Sequence, residues 1–162
     1  MLLAPVQSLA PYVPSPEDVV DRMLALANVQ KEDTVLDLGC GDGRIPIRAA
    51  QKFGARGVGV DIDPKLLEEA RANAKKAGVE NLVEFRLEDA MTTDLSKASV
   101  VTLYLLSSSN AKLRPRLQAD LQPGSRIVSH AFSMGPDWPA DTIDRFVSLR
   151  GDEITLYLWK IR

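Results

Sequence analysis

With 162 residues the chain holds one domain's worth of sequence, enough for a sizeable core and short for an enzyme with a separate substrate domain. Its 45% hydrophobic and 26% charged fractions exclude a disordered chain, and a formal net charge of −2 gives no general pull toward nucleic acid or anionic membrane. The single cysteine, Cys40, excludes an internal disulfide, and no apolar run reaches the roughly 18 residues that span a bilayer, so the cytoplasm is the expected location.

Residues 1–14 carry Pro5, Pro11 and Pro14 and are expected to form an extended arm. Lacking a basic leader, this stretch is a poor signal peptide. Residues 15–162 are expected to form a single domain. Ser15 and Pro16 read as the N-cap and first position of a helix, with Val19, Val20, Met23, Leu24 and Ala27 as its apolar stripe. Asp18 and Arg22, spaced i,i+4, are expected to pair on the wet side. Residues 33–38 are a short apolar strand. Arg44 to Phe53 reads as a helix that tolerates Pro46 in its first turn and stops at Gly54. A strand follows from Arg56 to Asp61. Asp63-Pro64 opens a third helix, Leu66, Leu67, Ala70, Ala74 and Ala77 face inward, and Gly78 ends it.

"NLVEFRL" is a partly alternating strand. "ASVVTLYLL", residues 98–106, is an almost unbroken apolar run that predicts a strand buried on both faces. A helix is expected over residues 110–121, disturbed by Pro115, then a turn at Gln122-Pro123-Gly124 and a strand in "SRIVSHAF". The tail reads as two strands around Gly151-Asp152. This alternation predicts an α/β fold: a doubly wound, seven-stranded, mostly parallel Rossmann-like sheet closed by a C-terminal antiparallel hairpin. Ligands in such sheets bind beyond the carboxyl ends of the strands, at the switch point.

"TVLDLGCGDGRIP", residues 34–46, lies there. Gly39, Gly41 and Gly43 alternate, and Asp37 and Asp42 lie before and among them. Bare backbone at a helix N-terminus favours polar or anionic ligand atoms, but an isolated GxGxG is also a plain tight turn. The spacing differs from the GxGxxG of dinucleotide folds. Two carboxylates should repel a diphosphate and welcome an ammonium and a sulfonium. Asp61, ending the second strand, stands where a carboxylate accepts from ribose hydroxyls. S-adenosylmethionine has the ribose, the amine and the cationic sulfur, and it fits better than NAD.

With these residues the chain resembles the class I S-adenosylmethionine-dependent methyltransferases, "VLDLGCGDG" matching their first motif and "GVGVDID" their second. The resemblance covers roughly residues 16–161. It implies that Gly39, Gly41 and Gly43 line the methionine moiety with Asp37 near its amino group, that Asp61 holds the ribose, and that Ile62 packs on adenine. It also implies that Asp89 and the Ala90 backbone, in "LEDA", read the adenine edge. Tyr12, Val13, Ser15, Cys40, Asp42 and Tyr104 complete the cofactor-contacting set, with small-residue packing as the role of Cys40. No metal site is expected.

The fourth strand's exit, "LYLLSSSN", lacks the Asn- or Asp-Pro-Pro-aromatic stretch typical of enzymes that methylate nucleic-acid amines, so no stable nucleic-acid binding is expected. "PYVPSPEDVVDRML", "VVTLYLLSSSNAKLRPRL" and "LQPGSRIVSHAFSMGPDW" together resemble the small protein lysine methyltransferases of archaea and bacteria, related to the FAM173 group. The family often has Thr where Ser15 stands, and "SSS" at 107–109 is less distinctive. The resemblance implies transfer of a methyl group to lysine side chains of protein substrates. A small metabolite or RNA as acceptor, and a cofactor-binding module without transfer, are the alternatives. Methyl transfer needs collinear nucleophile, methyl and sulfur, and a neutral lysine amine. Tyr12, Tyr104, Asn110 and His130 are the candidate catalytic residues on the acceptor side, with Ser129 beside them. Trp138 reads as a lip or a packing anchor, and "KLRPRL" as a solvated helix face.

Overall fold

Residues 14–162 are described by a computed structural model. The elements are α1 (Glu17–Leu26), β1 (Thr34–Leu38), α2 (Arg44–Phe53), β2 (Arg56–Asp61), α3 (Pro64–Lys76) and β3 (Val83–Leu87). They continue with β4 (Val100–Leu103), α4 (Ser107–Asp120), β5 (Arg126–His130), β6 (Thr142–Val147) and β7 (Glu153–Lys160). The seven strands form one sheet in the order β3-β2-β1-β4-β5-β7-β6. All neighbours from β3 to β5 are parallel, and β7 is antiparallel to both β5 and β6. This is the doubly wound, mostly parallel sheet with a C-terminal antiparallel hairpin that the alternation predicts.

Side chains of a strand alternate between faces. Val35, Val100 and Val128 pack under α1 and α2, whereas Leu36, Leu38, Val101, Leu103 and Ile127 pack against α4 residues Leu113 and Leu117 on the other side. A third cluster joins α2 and α3 through Ile47, Ala50, Leu67, Ala70 and Phe85. The stripe of α1 is buried as its spacing predicts, and Asp63 caps α3 by accepting from the Lys65 N–H at 2.9 Å. Leu66 is half-buried, so it only grazes the core. Among the described residues no helix is long and apolar enough to cross a membrane.

Three local expectations are corrected. Pro16, not Ser15, is the N-cap of α1, and no side chain caps that helix. Arg22 pairs with Asp144 at 2.7 Å instead of Asp18, which accepts from the Leu149 N–H at 2.9 Å. β4 ends at Leu103, and α4 starts at Ser107, three residues before Asn110.

Candidate active site

The strand-to-helix turn after β1 holds all three glycines at positive φ: +84° at Gly39, +55° at Gly41 and +82° at Gly43. That region disfavours side chains, so the loop presents backbone. The N–H groups of Gly39 and Cys40 both donate to the Val60 carbonyl at 2.9 Å, which pins the loop to β2. Cys40 is buried between α2 and α3, and burial pushes its thiol well above the ordinary range. It is a packing residue whose side chain faces the core.

The acids of the loop differ in state. Asp37 is buried on β1 and accepts from the Thr102 hydroxyl at 2.9 Å. Burial raises its pKa to about 7, opposed by the Thr102 hydrogen bond and reinforced by the charges of Asp61 and Asp42. Asp42 is clasped by Arg44, with Nε to Oδ1 at 3.0 Å and Nη2 to Oδ2 at 2.6 Å. Its charge is therefore balanced, so the expected repulsion of a diphosphate by Asp37 and Asp42 together is corrected. A different feature acts against phosphate. Asp61 already occupies the Gly41 N–H at 2.9 Å, and Asp42 accepts from the Arg44 N–H at 3.3 Å, so two donors that cradle phosphate in other loops are taken. The second Asp61 oxygen accepts from the Asp63 N–H at 3.0 Å, and each oxygen keeps a further lone pair for a ligand hydroxyl.

Ile62 follows directly and is half-buried. Asp89 is exposed, and its Oδ1 accepts from the Met91 N–H at 2.9 Å, while Ala90 is buried. Arg116 of α4 straps this turn, donating to the Met91 carbonyl at 2.8 Å and also to the Thr93 carbonyl. Arg114 likewise binds Asp137 and lies 5.6 Å from the Trp138 ring. Of the three basic residues in "KLRPRL", only Lys112 is exposed as the solvated face expected there. Trp138 is an anchor: its carbonyl accepts from Trp159 Nε1 at 3.0 Å and its ring lies 5.9 Å from that of Trp159.

At the exits of β4 and β5 the Tyr104 and His130 rings stack with centroids 3.9 Å apart. Ser15 joins them, its Oγ 2.9 Å from His130 Nδ1. Burial lowers the His130 pKa to about 4, so the ring is neutral at physiological pH and is a poor proton acceptor. Arg44, clasping Asp42, also donates to the Ser15 carbonyl at 2.9 Å, which ties this wall to the glycine loop. Asn110 lies on the opposite face of the sheet edge. It is fully buried and donates to the Phe132 carbonyl at 3.1 Å and to Ser129 Oγ at 3.4 Å. Its Oδ1 has no partner, the one such buried side-chain atom among the described residues. Ala131, between these groups, has φ +74°, a strained value for a residue with a Cβ. The structure thus gathers Ser15, Tyr104 and His130, and sets Asn110 behind them with Ser129. Tyr12 and Val13 lie outside the described residues.

Sequence reasoning missed Arg44 and Thr102. The signal for Thr102 was a lone hydroxyl inside the apolar run "VVTLYLL"; Arg44 offered only its nearness to Asp42.

Residues 37–142 match the ANTKMT methyltransferase domain. A protein-lysine N-methyltransferase of Saccharolobus islandicus is 47% identical over 76% of this chain and 78% of its own length. The adenine nucleotide translocase lysine N-methyltransferase of Mus musculus is 33% identical over 83% of this chain, which spans 58% of that enzyme. Among solved structures, one described as an RNA methyltransferase from Salinibacter ruber, in complex with S-adenosyl-L-homocysteine, is 56% identical with a TM-score of 0.85, covering 92% of this chain and 94% of that one.

Proposed function

The chain belongs to the ANTKMT methyltransferase domain family and is an S-adenosylmethionine-dependent N-methyltransferase, and we propose that its acceptor is the side-chain amine of lysine in protein substrates. The observation that carries the proposal is the uncharged wall of Ser15, Tyr104 and His130 at the exits of β4 and β5. A lysine ammonium entering such a wall loses hydration, which favours the neutral amine that attacks. The relatives named for lysine methylation support the same reading. An RNA acceptor is the second reading, favoured by the description of the Salinibacter structure.

The residues fit the cofactor. The loop's three glycines, all at positive φ, present bare backbone to a ligand. The unpartnered oxygen of Asp37 suits the amino group, Asp61 suits ribose hydroxyls, and Ile62, Asp89 and Ala90 suit adenine. When bound, the cofactor supplies a methyl group already activated on a sulfonium. This chain's part is to hold the donor by Asp61 and the loop, admit the amine beside Tyr104, and keep the wall dry. His130 orients through Ser15 and takes no proton. Action in the cytoplasm and the lack of stable nucleic-acid binding belong to the same proposal; the segment expected to be extended, residues 1–14, lies outside the described residues except for Pro14.

The test uses labelled S-adenosylmethionine with cell extract. Label that survives nuclease, is released by protease and maps to lysine by mass spectrometry is the expected result. Label lost on nuclease treatment selects the RNA reading. A second expectation concerns Asp61→Ala. It removes a ribose acceptor and frees the Gly41 N–H, so calorimetry should show cofactor binding weaker by about 1–3 kcal/mol. Unchanged affinity contradicts the placement.

A further inference from the structure

Asp37 and Thr102 are register partners on adjacent parallel strands, and both side chains are buried. Thr102 is wholly inaccessible, and its hydroxyl donates to one Asp37 oxygen at 2.9 Å. The other oxygen has no partner among the described residues and is not sealed, since Asn110 Oδ1 is the one sealed, unpartnered side-chain acceptor there. A carboxylate held by one oxygen on its strand, with the other open, is a directed acceptor.

We infer that Thr102 is a positioning residue for cofactor capture: its hydroxyl locks the Asp37 carboxylate so that the open oxygen receives the cofactor's ammonium. This rests on the reading that places Asp37 beside that group. Without the hydroxyl the side chain is free to rotate, and its charged form loses its one hydrogen bond inside the protein. Asp37 faces Asp61 from β2, and from the glycine loop Asp42 with its partner Arg44 and the thiol of Cys40. The two acids disfavour its ionisation, and from β4 Thr102 favours it. Thr102 thereby sets the pH at which the site accepts a cation.

The experiment compares wild type with Thr102→Val, which keeps the shape, and Thr102→Ser, which keeps the hydroxyl. Infrared spectroscopy follows the Asp37 carboxyl titration in the ligand-free protein, with Asp37→Asn identifying the band. Calorimetry measures S-adenosylmethionine binding at about pH 6.5, where the ligand's amine, ordinarily near 7.7–8.0, is protonated. The expected result for Thr102→Val is a titration moved upward by about one unit and roughly tenfold weaker binding, with both restored in Thr102→Ser. Thr102→Ala, which cannot overpack, is judged by the same two measurements should the valine variant misfold. An unmoved titration in the hydroxyl-free variants overturns the proposal alone. Wild-type affinity equal to that of Asp37→Asn at every pH overturns the placement of Asp37, and the proposal with it.

Discussion

Gly43→Ala should lose about 2–5 kcal/mol of stability and most of its cofactor affinity, whereas Gly78→Ala should lose about 1–2 kcal/mol and bind the cofactor normally. Both glycines have positive φ, +82° and +75°, so both variants bear the strain of a left-handed residue with a Cβ. The difference is in what the new methyl meets. At Gly43 it would lie 2.7 Å from Phe85 Cζ, 2.8 Å from Cε1 and 2.9 Å from Ala70 Cβ, all core atoms between α3 and β3. At Gly78 nothing lies within 4 Å. Phe85 and Ala70 are fixed by their own packing, so the turn must move instead, and the Gly41 N–H bonded to Asp61 moves with it. Thermal unfolding and calorimetry on the two variants read strain and clash separately. Normal cofactor affinity in a folded Gly43→Ala protein would show that loop position does not control binding.

Local chemistry made some elements legible. The helix from Arg44 to Phe53 has the bounds that its glycines and apolar spacing dictate, and Asp63 caps α3 as a short acid before proline should. The same holds for the sheet, because alternating strands and helices leave few topologies open. Elsewhere a distant partner overrode local chemistry. Ser15 has the identity of an N-cap, yet its hydroxyl serves His130, 115 residues away. Arg22 prefers Asp144, brought close by β6. The apolar run at 98–106 gives no mark of where β4 ends, since Tyr104 leaves the ladder to stack on His130 and Leu106 becomes the extended N-cap of α4. Three serines then form the first turn of α4, ahead of the start expected at residue 110.

The site shows the same division. Its glycines and Asp61 were readable because motif spacing fixes them to one strand end each. The charge state of its acids was not. Asp42 lies two residues from Arg44, and nothing in the sequence says that the guanidinium folds back onto it rather than into solvent. The tilt of Asp37 toward neutrality needs a buried environment, a hydroxyl from β4 and the charges of Asp61 and Asp42. Those are facts of packing, and they turn a pocket counted as doubly anionic into one whose charge depends on pH.

Asp37→Asn should therefore make the protein more stable above neutral pH while weakening cofactor binding. The folded-state pKa is raised from 3.8 to about 7. Between those values the folded chain keeps a proton that the unfolded chain has released, so stability falls as pH rises from about 4 to about 7 and is then level. At about 1.4 kcal/mol per unit the loss is on the order of 4 kcal/mol, taking the full shift. Asparagine cannot ionise, yet it accepts the Thr102 hydroxyl as the acid does, so it escapes that loss. Wild type and variant should unfold at similar temperatures near pH 4. At pH 8 the variant should melt higher, on the order of 10 °C for a chain of this size. Its affinity for S-adenosylmethionine should fall roughly 10- to 100-fold there, as expected when a hydrogen bond to a charged group is lost. An acid that weakens the folded state is explained if a cationic ligand offsets its burial on binding. Equal melting temperatures at pH 8 would show that Asp37 is ionised in the fold at no cost, and the argument for its role as a counter-charge would fail with that result.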